Sequence, residues 1–338
     1  MKAAVYYGRH DLRVTDVDEG PIGDHQVRIH IKYCGVCGTD IHIYEGEGGS
    51  AEVIPPTIIG HEFSGVVTAV GKDVKNIRIG DRVAVDPNEQ CGECYFCRNA
   101  MGHFCENLIG YGTTYPGGFA EYDTVSEKQV YKLPDDLPFE TAALTETLSC
   151  CLHGIDLCNI RTGQTVLIIG AGPIGLIMLQ LAKIAGAGKI IVSEIVPEKR
   201  ELALKYGANI VIDPLNEDIG AVLSANTKNV SCVIECAGTV RTEEQAIRYA
   251  GKGATVMMFG LVAPEATAAI KPYEFFQKEI HLTASFINPY TFERAIELLS
   301  LGKVRVDGII TDILPLERIN EVFEDADYRR RGKVLIEI

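Results

Sequence analysis

Five residues near the N-terminus carry side chains suited to metal and proton chemistry: Cys37, Thr39, His42, His61 and Glu62. A thiolate, an imidazole and a carboxylate are what a catalytic zinc takes as ligands, with one position left for water or substrate. Cys37, His61 and Glu62 are therefore the candidate ligand set. The Thr39 hydroxyl and the His42 imidazole, whose ordinary pKa of ~6.5 suits relay to water, are candidate proton carriers. Cys34, three residues before Cys37, could compete for the metal. Taken singly, each has a plainer use, since a lone cysteine usually packs as a small hydrophobe. The reading needs support from the rest of the chain.

A second cluster is more tightly spaced. Cys91, Cys94, Cys97 and Cys105 follow the pattern C-x2-C-x2-C-x7-C, in a lobe of about residues 88–108. Four thiolates so spaced can close a tetrahedral structural zinc site. An iron–sulfur cluster is the rival, but the ferredoxin run ends C-x3-C-P. Here seven residues separate the last two cysteines and Glu106 follows. Two zinc ions per chain are expected.

A third stretch, Gly170-Ala171-Gly172-Pro173-Ile174-Gly175, follows a β-branched run and opens an apolar helical pattern. In that context G-x-G-x-x-G is a dinucleotide fingerprint. The first glycine makes the turn, the second lets backbone N–H groups approach a pyrophosphate, and the third packs helix on strand. Glu194 lies 19 residues past Gly175, near the ~20 expected of an acid that accepts the ribose hydroxyls. A carboxylate there repels a 2′-phosphate, which favours NAD over NADP. Arg200 keeps NADP as the minority reading.

These residues need two scaffolds. Up to about residue 148 the chain reads mainly β, with alternation over 26–32 and short runs at 64–70 and 82–85 between glycine and proline turns. Beyond it, strands at 165–169, 189–193, 210–212, 232–235 and 255–259 alternate with helical patterns such as 198–206 and 242–250. That alternation implies a parallel, doubly wound sheet. A helix at 292–301 and a strand at 333–338 close the chain. A length of 338 residues suits two domains, because single cores seldom outgrow ~250–300 residues.

The net charge of −14 argues against nucleic acid or anionic membrane as partner. Arg329-Arg330-Arg331 reads as a solvated loop. The longest apolar run, 166–182, is interrupted by glycines and falls short of the ~20 residues of a membrane span, so it reads as a buried strand and a buried helix. The N-terminal residues Met1-Lys2-Ala3-Ala4-Val5-Tyr6-Tyr7 hold no apolar stretch long enough for a secretory signal peptide, so none is expected. A cytoplasmic location is expected, where the eleven cysteines stay reduced.

Together, Gly35-Val36-Cys37-Gly38-Thr39-Asp40, Gly60-His61-Glu62, the four-cysteine lobe and the glycine fingerprint resemble the zinc-dependent medium-chain alcohol dehydrogenases, along essentially the whole chain. The resemblance implies a GroES-like, mainly β catalytic domain over 1–148 and 288–338, and a Rossmann domain over 149–287. The segment Leu144-Thr145-Glu146-Thr147-Leu148-Ser149 is similar to one in the sorbitol dehydrogenase branch, which places a glutamate near the zinc. Glu146 matches it and is taken as a further ligand or close partner of the catalytic zinc, although Cys150 or Cys151 could replace it as a thiolate. The implied reaction is reversible oxidation of a secondary alcohol of a polyol or cyclic polyol. Threonine or 2,3-butanediol oxidation is the runner-up, and a non-catalytic or quinone-reductase-like dinucleotide binder is a more distant alternative. Tyr44, Asn288 and Tyr290 are candidate substrate contacts, and a homodimer or homotetramer is expected from the family.

Overall fold

The structure is a computed structural model, and it describes residues 1–47 and 52–338. The chain forms two units: Met1–Ser149 with Ile287–Gly302 and Val306–Ile338, and Cys150–Phe286 with Lys303–Arg305.

The first unit is built on a seven-stranded sheet whose central strand is Gln26–Gly35. Its sequence alternates apolar and polar residues, so Val27, Ile29 and Ile31 point inward and are fully buried. Strand Glu62–Val70 runs antiparallel beside it, with Gly35 opposite Glu62. Lys333–Glu337 pairs antiparallel with the same end of Gln26–Gly35, setting Leu335 opposite Gly35 and Ile336 opposite Cys34. Three segments distant in sequence thus meet beside Cys37. Phe63, Val67, Val83, Phe119 and Val125 fill the core around them.

Gly35 is required at that meeting point. A Cβ there would lie 2.2 Å from Glu62 Oε2, so any side chain would displace the carboxylate.

The second unit contains a six-stranded, wholly parallel sheet. In space its strands run 210–212, 189–193, 165–169, 232–235, 255–258 and 281–284. The order reverses direction at Thr165–Ile169, and the crevice at such a switch point is where ligands bind. The apolar run read from sequence is the buried strand Thr165–Ile169 and the helix Pro173–Ile184, whose Gly175 to Ala182 segment is buried.

One local expectation is corrected. Arg329-Arg330-Arg331 is the last turn of helix Ala326–Arg331. Arg331 pairs with Asp312 at 2.8 Å and Arg330 with Asp327 at 3.1 Å, so the cations sit at a helix C-terminus with acidic partners.

Candidate functional sites

Cys37 caps helix Gly38–Tyr44, whose first turn is tied down by Asp40 accepting from the Cys37 N–H at 2.8 Å. His61 and Glu62 come from the start of the neighbouring strand. One donor atom each from Cys37, His61 and Glu62 lies within 4.8 Å of the others. Asp40 is fully buried, and its Oδ1 lies 3.4 Å from His61 Nδ1. That is long for a hydrogen bond and leaves both atoms without a partner. Burial disfavours a charged His61, yet Asp40 and Cys37 outweigh burial and raise it well above its ordinary pKa. The pocket therefore attracts positive charge. A divalent ion held by the imidazole would meet that demand, with the Asp40 carboxylate facing the ring's Nδ1. The donor set fits zinc.

Glu62 has a partner that sequence reasoning missed. Lys333 Nζ lies 2.7 Å from both of its carboxylate oxygens and donates also to the Val36 carbonyl at 3.2 Å. The Thr147 hydroxyl donates to Glu62 Oε1 at 2.8 Å. Burial alone would raise Glu62, but Lys333, then His61 and Thr147, bring it below the ordinary carboxylate value. A signal was present: a lone lysine in the apolar run Lys333–Glu337 is a buried charge in need of a partner.

Thr39 and His42 lie one helical turn apart. Thr39 Oγ1 is 3.8 Å from the Cys37 sulfur, and His42 Nδ1 meets Glu47 Oε2 at 2.6 Å in a partly exposed position. Glu146 occupies the first turn of helix Thr145–Cys158 and is buried, but it is outside the converging group of three. Asp86 is held up to about 7, chiefly by burial, against bonds from Asn88 and Asn288, with the Glu146 charge adding to the rise. Cys34 is sealed in the core, and burial pushes its thiol well up, so it offers no thiolate.

The three candidate substrate contacts lie in different surroundings. Tyr44 is buried, its ring 5.2 Å from Phe323 and 5.1 Å from His10. Asn288 is 1% exposed. It donates to Asp86 and Ser149 and accepts from Asn88, which makes it a knot holding the returning segment. Tyr290 is exposed and donates to Gln90 at 3.2 Å. Only Asn288 has its polar groups committed within a buried network.

In the cysteine lobe the sulfur separations are 3.5 Å for Cys94–Cys97, 3.9 Å for Cys91–Cys97 and 3.9 Å for Cys94–Cys105. A tetrahedron with Zn–S of about 2.3 Å has edges of about 3.8 Å. Backbone N–H groups of Glu93 and Cys94 draw Cys91 down to about 6. The lobe is shaped for four thiolates on one ion.

In the second unit Gly170 has φ of 93°, and a Cβ on Gly175 would lie 1.9 Å from the Gly170 carbonyl. Gly172 faces open space and caps the helix that Pro173 and Ile174 begin. Glu194 accepts from Ala171 N–H at 2.6 Å and Val196 N–H at 2.8 Å, which fixes the acid against the glycine turn. Arg200 is paired with Asp213 at 3.0 Å.

The family description "Alcohol dehydrogenase GroES-like domain" matches residues 23–135, and "Zinc-binding dehydrogenase" matches residues 173–301. D-arabinitol dehydrogenase 1 of Uromyces fabae is 33% identical over 341 residues, covering 99% of this chain and 97% of its own. The L-threonine 3-dehydrogenase of Thermococcus kodakarensis is 34% identical, covering 99% and 96%. Among solved structures, a zinc-binding dehydrogenase of Sinorhizobium meliloti bound to NADP aligns with a TM-score of 0.95 at 35% identity, covering 100% of this chain and 99% of that one.

Proposed function

The chain belongs to the zinc-dependent medium-chain alcohol dehydrogenases, and we propose that it oxidises a secondary alcohol of a polyol or cyclic polyol, reversibly, with NAD as hydride acceptor. The observation that carries this reading is the convergence of Cys37, His61 and Glu62 in a chain that also holds the glycine fingerprint. Bound zinc supplies Lewis acidity that makes a hydroxyl easier to deprotonate, and the nicotinamide accepts the hydride.

Cys37 and His61 would hold the metal, with Asp40 as the charge facing His61, and Glu62 would be an exchangeable ligand whose other partner is Lys333. Glu146 supports the site from its helix without converging on the metal. The Thr39 hydroxyl takes the substrate proton, and His42, backed by Glu47, passes it to solvent. The four cysteines of the lobe hold a second, structural zinc. Thiolates in both sites favour a reducing compartment, which agrees with a cytoplasmic location.

NAD is favoured over NADP because Glu194, the acid whose spacing from the glycine fingerprint suits the ribose hydroxyls, is held by the Ala171 and Val196 N–H groups. Self-association is expected through strand His281–Ala284, the outer strand of its sheet, beside exposed Tyr273, Phe276 and Leu282. No helix among the described residues is long and apolar enough to cross a membrane.

Threonine oxidation is the second reading, favoured by the resemblance to the archaeal threonine dehydrogenase. Metal analysis combined with NAD and NADP reduction on a panel of polyols, threonine and 2,3-butanediol tests both readings. Two zincs per chain with NAD-linked turnover of a polyol is the expected result. Turnover confined to threonine would favour the second reading, and no turnover with one zinc would refute both.

A further inference from the structure

The ribose end of the dinucleotide site holds a guanidinium that binding of NAD leaves without a task. Arg200 reaches back from helix Pro197–Tyr206 to the end of strand Lys189–Ser193, donating to the carbonyls of Glu194 at 2.7 Å and Ile195 at 2.9 Å. Its other terminal nitrogen meets Asp213 at 3.0 Å, with both side chains under 20% exposed (17% and 19%). Asp213 is itself fixed, accepting from Asn216 Nδ2 at 3.0 Å and from Leu215 N–H at 3.1 Å. Register explains the proximity. Ser193 pairs with Ile212 across adjacent parallel strands, so Glu194 and Asp213 leave the sheet side by side.

We infer that Asp213 is a specificity-determining residue, which neutralises Arg200 and so withholds the counter-charge that a 2′-phosphate would need. The inference rests on the dinucleotide reading above. Arg200 faces the Asp213 carboxylate directly and the Glu194 main chain, and Glu217 adds a further carboxylate by accepting from Asp213 N–H at 2.8 Å, so its charge is spent before a further dianion arrives. Removing the Asp213 charge takes away the partner of Arg200 Nη2 and leaves that nitrogen's N–H donors and the guanidinium charge for a phosphate oxygen, while Nη1 stays on the two carbonyls. Glu194 cannot turn aside to relieve the repulsion, because Ala171 and Val196 hold both of its oxygens. The acid sets the repulsion, and Asp213 removes the remedy.

The test is Asp213→Asn, which keeps the side-chain shape and its acceptor oxygen. Binding of NAD, NADP and adenosine 2′,5′-bisphosphate is measured by calorimetry on the zinc-loaded protein without substrate. NADP and the bisphosphate should bind about tenfold more tightly than to the native protein, the scale of one charge-assisted contact. Arg200→Met added to Asp213→Asn should abolish that gain. Unchanged NADP affinity in folded Asp213→Asn, or a gain that survives Arg200→Met, overturns the inference. Should Asp213→Asn fail to fold, Arg200→Met alone decides. A loss of NADP affinity of about tenfold in that variant would mean that the guanidinium already reads the phosphate, and a change of less than about threefold would mean that it is committed to Asp213. A native protein that binds NADP as tightly as NAD would refute the NAD preference, whereas the inference is judged on the change between native and variant.

Discussion

The two candidate zinc sites of the first unit balance charge in opposite ways. In the lobe, four cysteine sulfurs face one another with backbone N–H groups as their further partners. Four thiolates around one divalent ion leave a formal charge of −2. In the other site, the carboxylates of Asp40 and Glu62 and the Cys37 sulfur, with the buried Glu146 beyond them, are set against the single cation Lys333, an excess of negative charge that a divalent ion would offset. A closed tetrahedron of thiolates has no position for substrate. One site staples and the other can work.

Substitutions should separate the two sites. Cys37→Ser is expected to lower turnover by at least ~1,000-fold while the lobe zinc and dinucleotide binding survive. Zinc analysis and steady-state kinetics on the same preparation check this, and undiminished turnover would remove the metal from the mechanism. Cys94→Ser should release the other zinc and open the lobe, read as new protease cuts within residues 91–105 and a lower melting temperature, with metal retained at Cys37. Structural zinc is worth ~10–16 kcal/mol in isolated finger peptides, and only a part of that is expected where a larger core remains.

Lys333→Met tests the charge balance directly. Stranding a buried carboxylate costs about 3–5 kcal/mol, measurable by urea denaturation. Adding Glu62→Gln should recover most of the loss, because the charge that needed Lys333 is then gone. Failure of the double variant to recover would mean that Lys333 acts through packing.

Asp123 supplies the control, a buried carboxyl in the same unit whose Oδ2 has no partner. Burial holds it up to about 7, against the single bond from Thr124 N–H. With an unfolded value of ~3.9, its contribution to stability is complete below that pH and is lost as the pH climbs through about 7. Asp123→Asn should flatten that decline and stabilise the protein by ~1–2 kcal/mol at pH 8, in contrast to the loss at Lys333.

How far each site could be read from the sequence follows from how it is assembled. The lobe is complete within Cys91 to Cys105, and the fingerprint lies in one strand–turn–helix, so local spacing reveals both. Cys37, His61 and Glu62 were readable as types. Their supports were not: Lys333 reaches Glu62 only because its strand pairs with Gln26–Gly35, and no local pattern encodes that pairing. The internal role of Asn288 was hidden because a polar side chain in a sequence does not announce whether its hydrogen bonds are spent inside. The arginine run failed for the opposite reason, since Asp325 capping that short helix by accepting from Asp327 N–H is a local signal that was overlooked.

Glu62 and Lys333 are 271 residues apart, and the whole second unit lies between them. During synthesis that unit, nearly contiguous in sequence, is therefore finished before the lysine exists. Until then the strand bearing Glu62 has a carboxylate that cannot be buried without a counter-ion, so the first unit is left ajar while the second closes. Nascent chains arrested before residue 333 should accordingly retain dinucleotide affinity and lack the metal centre, which makes the order of translation an order of assembly.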